Sequence, residues 1–172
     1  MFCCTKRILS GTDDSIPIFD LNKYEGYAKI TSVYDGDTFN ACILLHGRVV
    51  KFKFRTLGYD SPEIKPSLDL ENRKLHIEQA KLARDMFKRE CGFDDHAPHQ
   101  VWNPFMCRNK VNGWVWISCA KNDKYGRPLV TVYRNKYDDV SVNDKMISHG
   151  IVNVYDGKKK ASFNTNTIHI RI

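Results

Sequence analysis

Residues 49–57 read VVKFKFRTL, and apolar and basic side chains alternate along the centre of this segment. One face has the apolar residues Val50, Phe52 and Phe54. The opposite face has the basic residues Lys51, Lys53 and Arg55. Because the side chains of a β-strand point alternately to its two faces, this pattern predicts a strand with one face in the core and a basic face outside.

Four other segments have the composition of strands. Two precede this one, at residues 27–34 and 39–45, and two follow it, at 111–119 and 129–133. The turn dipeptides Asp35-Gly36 and His46-Gly47 separate the first three strands, and the polar loop AKNDKYGR (120–127) joins the last two. Five strands built from successive hairpins predict a small closed barrel of the OB type.

Helices are predicted beside the strands. Apolar residues recur at helical spacing over Leu75–Phe87, and Gly92 follows as a stop signal. A second helix is predicted over Ser141–His149, where Ser141 and Asp144 approximate a capping box. The predicted fold class is therefore mainly β with α (α+β), an OB-fold five-stranded β-barrel with two to three flanking helices.

The composition is that of a globular protein. The chain has 172 residues, of which 42% are hydrophobic, and this suits one domain with an apolar core. We expect the domain at residues 25–157, between a loosely ordered arm at 1–24 and a basic tail at 158–172. No run of about 20 apolar residues is present, so no membrane-spanning helix is predicted.

Positive charge is concentrated in one part of the chain. The 27 basic and 20 acidic residues give a net charge of +7, which favours an anionic polymer as partner. Residues 108–136 hold seven of the cations and only one acid, Asp123. The aromatic residues among these cations are Trp114, Trp116, Tyr125 and Tyr133. Such mixtures bind phosphate backbones and stack on bases, although the commoner expectation is that Trp114 and Trp116 belong to the core.

The cysteines give no sign of a metal site or of a disulfide framework. There are six, without C-x-x-C spacing, and we expect free thiols, mostly buried, in a reducing compartment. His96, His99 and Cys107 lie in one predicted loop, but their spacing fits no structural zinc site.

The first ten residues, MFCCTKRILS, lack the apolar core of a secretory signal, so we expect an intracellular location. Cys3 and Cys4, followed by Lys6 and Arg7, resemble a dual-palmitoylation anchor with a basic flank. A basic adaptor tethered to a membrane through these cysteines is therefore kept as a minor alternative.

Acidic residues are concentrated in two short loops at strand ends, DGDT (35–38) and DSPE (60–63). Arg55 lies five residues before the second loop, and the segment DKYGR (123–127) adds another arginine between the last two strands. Each piece alone has a structural explanation, because Asp-Gly favours a turn and Asp-Ser-Pro-Glu favours a loop or a helix start.

Together, VYDGDT (33–38), FRTLGYDSPE (54–63) and DKYGR (123–127) resemble the staphylococcal (micrococcal) nuclease-like family, the thermonuclease homologues, in the family's own order. The resemblance spans roughly Gly26 to Gly157. It implies the same OB-type barrel that the strand pattern predicts. It also implies a calcium-dependent endo/exonuclease, which hydrolyses DNA and RNA by water attack on the 5′ P–O bond and leaves 3′-phosphate products. The expected partners are DNA and RNA, with single strands preferred, and the expected protein is a monomer that needs no cofactor nucleotide.

The resemblance further implies roles for single residues. The implied metal ligands are Asp37, Asp60 and the backbone carbonyl of Ser61, with Asp35 acting through water. The implied catalytic residues are Arg55, Glu63 and Arg127. The implied substrate-binding residues are Lys124, Tyr125 and Tyr155. An all-oxygen site suits a hard cation, so Ca²⁺ is expected, with Mg²⁺ or Mn²⁺ as alternatives.

The rival hypothesis is a catalytically inactive OB-fold module that only binds nucleic acid. A decayed site would be expected to lose some of the implied catalytic and metal-binding residues. All of them are present, and this favours an active enzyme. The sequence departs from the staphylococcal enzyme at GIVNVYDGKKK (150–160), where that enzyme has extra tyrosines and a third long helix.

Overall fold

The computed structural model describes residues 2–96 and 112–155. The strands are β1 (Glu25–Val33), β2 (Thr38–Leu45), β3 (Arg48–Thr56), β4 (Tyr59–Asp60), β5 (Trp114–Asn122), β6 (Pro128–Tyr133) and β7 (Asn153–Val154). The helices are α1 (Phe2–Leu9), α2 (Arg73–Cys91) and α3 (Val142–Ser148). The five predicted strands and both predicted helices are present, with bounds that differ by a few residues. The short strands β4 and β7 and the helix α1 were not predicted.

Five strands form a closed barrel in the order β1-β2-β3-β6-β5, which confirms the predicted OB-type architecture. Antiparallel pairs join β1 to β2, β2 to β3 and β5 to β6, and β5 also pairs with β1. The ring closes where β3 runs parallel to β6, with Arg55 opposite Leu129 and Thr56 opposite Val130. This closure brings the end of β3 beside the loop between β5 and β6.

The core fills the barrel, and α2 packs against it. Phe39 and Phe54 are almost fully buried and their ring centroids lie 5.6 Å apart. The ring of Phe87, on α2, lies 5.3 Å from that of Phe39. Gly92 ends the helix in the left-handed conformation (φ 58°), and its N–H binds the last carbonyls, as the sequence predicted for a glycine stop.

Helix α3 forms hydrogen bonds both to β6 and to the segment that follows β3. Its N-cap, Ser141, accepts a hydrogen bond from the backbone N–H of Asp144, as the predicted capping box requires. The buried amide of Asn143 donates to the carbonyls of Leu57 (2.8 Å) and Val130 (3.1 Å) and accepts from the N–H of Val132 (2.9 Å). One side chain thus links three backbone groups at the barrel closure.

The N-terminal segment, for which the sequence predicted a loosely ordered arm, contains a helix. It begins with α1, and the residues from Cys4 to Asp20 are exposed. Leu21 is only 3% exposed and joins the core, and the N–H of Lys23 binds the carbonyl of Cys119. The packed part of the barrel therefore begins a few residues before Glu25.

The cysteines that the structure describes fully are free thiols. Cys91 and Cys119 are buried, Cys42 is half-buried and Cys4 is exposed. His99 and Cys107 lie outside the described residues, so the structure does not test a zinc site there. The tail at 158–172 also lies outside the described residues. In residues 2–96 and 112–155, no helix has the length and apolar character needed to cross a membrane.

The expectation that Trp114 and Trp116 belong to the core is wrong. On β5 the inward positions are taken by Val115, Ile117 and Cys119, and the tryptophans lie on the outer face. Trp114 is 41% exposed.

Candidate active site

Three loops meet at one edge of the barrel. They are the turn between β1 and β2, the segment that follows β3, and the loop between β5 and β6. The strand register brings them together, because Thr38 lies opposite Arg55 on β3, and Arg55 lies opposite Leu129 on β6. The loops enclose a cavity of about 950 Å³. Its lining includes every residue to which the resemblance assigned a role: Asp35, Asp37, Arg55, Asp60, Ser61, Glu63, Lys124, Tyr125, Arg127 and Tyr155.

Carboxylates form the floor of the cavity. Asp37 is 2% exposed, Asp60 3% and Asp35 9%. The Asp37 carboxylate accepts hydrogen bonds from the hydroxyl of Thr38 (2.8 Å) and from the backbone N–H of Ser61 (3.1 Å). The second of these bonds holds the two acidic loops against each other.

Arg55 lies between two of the buried carboxylates. Its Nη2 is 2.9 Å from Oδ2 of Asp37 and also binds Oδ1 of Asp60. Its Nη1 donates to Oδ1 of Asp37 at 3.2 Å. The arginine side chain is only 12% exposed, so these contacts fix its direction.

The floor is rich in negative charge. Burial raises the pKa of Asp37 to about 7, repulsion from Asp35 adds to this rise, and the charge of Arg55 opposes it. The floor has three carboxylates, and Arg55 is bonded to two of them, Asp37 and Asp60. A further cation at this place would therefore stabilise the ionised form of Asp37.

Gly36 permits the close approach of the first acidic loop. A Cβ atom at this position would lie 2.9 Å from the Cβ atoms of both Ser61 and Ala83, closer than real Cβ contacts. The carbonyl of Gly36 also accepts a hydrogen bond from the buried hydroxyl of Tyr59 at 2.7 Å. Glycine at this position is thus required for packing against the second loop and α2.

The DKYGR loop is organised by its own first residue. The carboxylate of Asp123 accepts from the backbone N–H groups of Tyr125 and Arg127, each at 2.9 Å, and from Nε of Arg127 at 2.7 Å. Burial alone would raise the pKa of Asp123, but these hydrogen bonds and the arginine charge outweigh it and lower the pKa. Arg127 is therefore held in place, with Nη1 3.5 Å from the hydroxyl of Thr38.

The mouth of the cavity holds exposed cations and aromatic rings. Tyr125 is 72% exposed, and its ring centroid is 5.0 Å from Nζ of Lys124 and 5.5 Å from Cζ of Arg127. Tyr155 lines the same cavity because β7, which precedes it, pairs with β4. The backbone N–H of Tyr155 also binds the carbonyl of Gly58 at 2.9 Å. Glu63 is exposed at the mouth. The mouth thus combines the exposed cation Lys124 with one acid, Glu63, above a floor of buried carboxylates.

Sequence reasoning assigned no role to several residues of the cavity. These are Tyr34, Thr38, Lys65 and Asp123. Three of them fall within the quoted motifs, so the signal was present. Their function in the fold depends on contacts across loops, such as the Thr38 hydroxyl bound to Asp37, which spacing alone does not reveal.

The donor set fits a hard cation. In the described parts of the chain, no three His, Cys, Asp or Glu side chains have the spacing of a complete metal site. Two carboxylates, Asp37 and Asp60, do share one nitrogen of Arg55 and are therefore close enough to share a cation. The hydroxyl oxygen of Ser61 is buried there without a hydrogen-bond partner in the structure. Oxygen ligands with few carboxylates and added water suit Ca²⁺ or Mg²⁺.

Comparison with known families agrees with this geometry. A family model described as staphylococcal nuclease homologue matches residues 53–170, more than half of the chain. The match includes Arg55, Asp60 and Arg127 and begins after Asp37, which the structure places against the matched residues. A search of curated proteins found no match. The chain belongs to the staphylococcal nuclease homologue family, and its barrel is a nuclease-type fold.

Proposed function

We propose that this protein is a metal-dependent nuclease that hydrolyses the phosphodiester bonds of DNA and RNA. The observation that supports this most strongly is the pair of guanidinium groups, Arg55 and Arg127, held by carboxylates at one cavity. A phosphodiester is an anion that repels a negatively charged nucleophile, so its hydrolysis needs fixed positive charge around the phosphate oxygens.

Both arginines are suited to that task. A guanidinium group presents a planar fork of donors that can bind two phosphate oxygens at once, which an ammonium group cannot. Asp123 directs Arg127, and Asp37 with Asp60 directs Arg55, so neither side chain has to be ordered when substrate enters. The donors are preorganised where charge develops in the transition state.

Glu63 is the proposed general base. It lies at the mouth of the cavity, where water has access, and its carboxylate can take a proton from a water molecule that attacks the phosphorus atom. The bond from phosphorus to the 5′ oxygen breaks, and that oxygen gains a proton from solvent. The products are a 3′-phosphate and a 5′-hydroxyl.

The proposed metal is Ca²⁺, with Mg²⁺ or Mn²⁺ as alternatives, held by Asp37, Asp60 and the carbonyl of Ser61. When bound, such an ion offsets phosphate charge and lowers the pKa of bound water. Asp35 contributes negative charge beside Asp37 that favours binding of a cation.

The mouth is proposed to hold the rest of the substrate. Lys124 offers a point charge to a neighbouring phosphate, and the rings of Tyr125 and Tyr155 offer surfaces for a base. Stacking on a ring needs an unpaired base, so single strands are the preferred substrates.

The test is a cleavage assay on end-labelled single-stranded DNA and RNA with Ca²⁺, Mg²⁺, Mn²⁺ or chelator. We expect cleavage that chelator abolishes, with 3′-phosphate ends. Glu63→Gln should abolish most of the activity, whereas Glu71→Gln, at an exposed position outside the cavity, should not. If no metal supports cleavage while oligonucleotides still bind, the protein is an inactive binding module and the proposal is wrong.

A further inference from the structure

A row of aromatic side chains crosses the outer face of the barrel, away from the cavity. Tyr27 on β1 lies opposite Trp116 on β5, which in turn lies opposite Tyr133 on β6. Trp114 lies two residues before Trp116, on the same outward face. We refer to Tyr27, Trp114, Trp116 and Tyr133 as the aromatic row.

Two rings of the row are exposed, Trp116 and Tyr133 are half-buried, and Tyr27 packs against both tryptophans. Tyr27 is 54% exposed and Trp114 is 41% exposed. The Tyr27 ring packs edge-on against Trp116 at 5.0 Å and against Trp114 at 6.2 Å between centroids. Large exposed aromatic surfaces on a sheet are characteristic of interaction sites, because an ordinary solvent-facing strand has polar residues at these positions.

Cations border the aromatic row. Nζ of Lys136 lies 5.0 Å from the ring centroid of Trp116 and 5.3 Å from that of Tyr137, which is 84% exposed. Arg134 donates from Nη1 to the carbonyl of Trp114 at 2.7 Å. A ligand that stacks on these rings would therefore meet positive charge at their edge.

Acidic residues next to this surface have other partners. Glu25 accepts a hydrogen bond from the hydroxyl of Ser118 at 2.9 Å. Asp138 accepts from the backbone N–H of Asn135 at 3.0 Å and from its side-chain amide. These donors are neutral, so both carboxylates keep their charge. The row is nevertheless in direct contact with the cations Lys136, over the Trp116 ring, and Arg134, on the Trp114 carbonyl.

The aromatic row is separate from the cavity, because no residue of the row lines the cavity. Strand β5 begins at Trp114 and leads to the DKYGR loop after Asn122. At about 3.3 Å per residue, Trp114 lies roughly 26 Å along the strand from the end that meets the cavity. A ligand must therefore extend beyond the cavity to reach both.

We propose that the aromatic row and Lys136 form a second binding surface for single-stranded nucleic acid. Unpaired bases stack on aromatic rings whatever their sequence, and adjacent cations contact the backbone phosphates. The charge and the aromatic rings together favour a polyanion with flat apolar groups over a protein partner. This surface goes beyond the proposed cleavage, since it binds without metal and contains none of the cavity residues.

The test is binding of a fluorescent oligothymidylate of about 20 nucleotides, longer than the site of one OB fold, to the whole protein in chelator. Trp114→Thr keeps a residue suited to a strand and should weaken binding about 5- to 150-fold, the effect of losing one stacked base. Leu44→Thr, at another exposed strand position (64%), is the matched control and should bind like the wild type.

Lys136→Gln tests the charge. Loss of one phosphate contact from single-stranded DNA should reduce the slope of log affinity against log salt by roughly 0.7. Lys74→Gln, an exposed cation on α2, should leave the slope unchanged. Thermal melts of all variants check the fold, and Lys136→Gln remains informative if Trp114→Thr unfolds.

Two results would overturn this inference. The first is wild-type oligothymidylate affinity in folded Trp114→Thr and a wild-type salt slope in Lys136→Gln. The second is a change of oligomeric state in these variants without a change in oligonucleotide affinity, which would make the row a contact between copies. The inference and the proposed nuclease activity can fail separately, because a dinucleotide is too short to reach the row. Trp114→Thr should cleave it at the wild-type rate, and Glu63→Gln should still bind the long oligonucleotide.

Discussion

Replacing Asp37 by Asn should make the metal-free protein less sensitive to alkaline pH. The carboxylate lies on the cavity floor beside Asp35, and its pKa is raised from 3.8 to about 7. A group with a raised pKa in the folded state contributes stability that is full below the unfolded value of 3.8. That contribution is lost as the pH rises through about 7. The neutral amide of Asn has no such titration.

The size of the effect follows from the pKa shift. Between pH 5 and pH 8 the folded carboxyl loses most of its proton, while the unfolded one is already ionised. Each pH unit over which the two states differ by one proton changes the free energy of unfolding by 1.36 kcal/mol, and about two such units lie in this interval. The free energy of unfolding of Asp37→Asn minus that of the wild type should therefore rise by about 2–3 kcal/mol from pH 5 to pH 8.

The assay is urea unfolding in chelator at several pH values, with Asp69→Asn at an exposed position as the control. Subtracting the wild-type curve removes the titration of groups that do not interact with residue 37. Adding Ca²⁺ at pH 8 should stabilise the wild type and have little effect on Asp37→Asn. A difference between variant and wild type that is flat from pH 5 to pH 8 would refute the electrostatic account of the floor.

Three further predictions concern the arginines, the first acidic loop and the barrel closure. Arg55→Lys and Arg127→Lys should each lower the cleavage rate by about 10²-fold or more, and wild-type turnover in either would disprove the assigned role. Gly36→Ala should lower the free energy of unfolding by about 1–3 kcal/mol, because the added Cβ atom would lie 2.9 Å from the Cβ atoms of Ser61 and Ala83. An unchanged urea midpoint would show that the loops can separate at no cost. Asn143→Ala should destabilise by about 3 kcal/mol, since it leaves buried backbone groups without partners. Calorimetry that finds under 1 kcal/mol would mean that water replaces the amide.

The sequence predicted much of the fold because local patterns were strong. Each of three patterns is typical of a single structure. They are the alternation of β3, the helical spacing of α2 and the glycine at the end of that helix. Strand β5 was harder, because WVWISC is apolar at nearly every position and its periodicity cannot tell the inner face from the outer. The inward positions of β5 hold Val115, Ile117 and Cys119, so Trp114 faces outward.

The sequence predicted which residues line the cavity but not the ion pairs that they form with one another. The three motifs named the residues that line it, whereas the bridge from Arg55 to both Asp37 and Asp60 depends on register between distant strands. The anchoring of Arg127 by Asp123 is local, at a spacing of four residues, and could have been inferred from DKYGR itself. Strands as short as β4 and β7 have no periodic signal, so the position of Tyr155 needed the structure.

The closure between β3 and β6 also bears on how the molecule fluctuates. The ladder of β2 and β3 extends over the whole of β2, but the barrel is closed only around Arg55 and Thr56, with the amide of Asn143 as reinforcement. Local opening should begin at this short seam, well before the long hairpins separate. Hydrogen exchange at Leu57, whose N–H binds the carbonyl of Val130, would then report the same rare excursions that move Arg55 away from its carboxylates. The edge of the barrel where the nuclease reaction is proposed is therefore also the place where local opening is expected to begin.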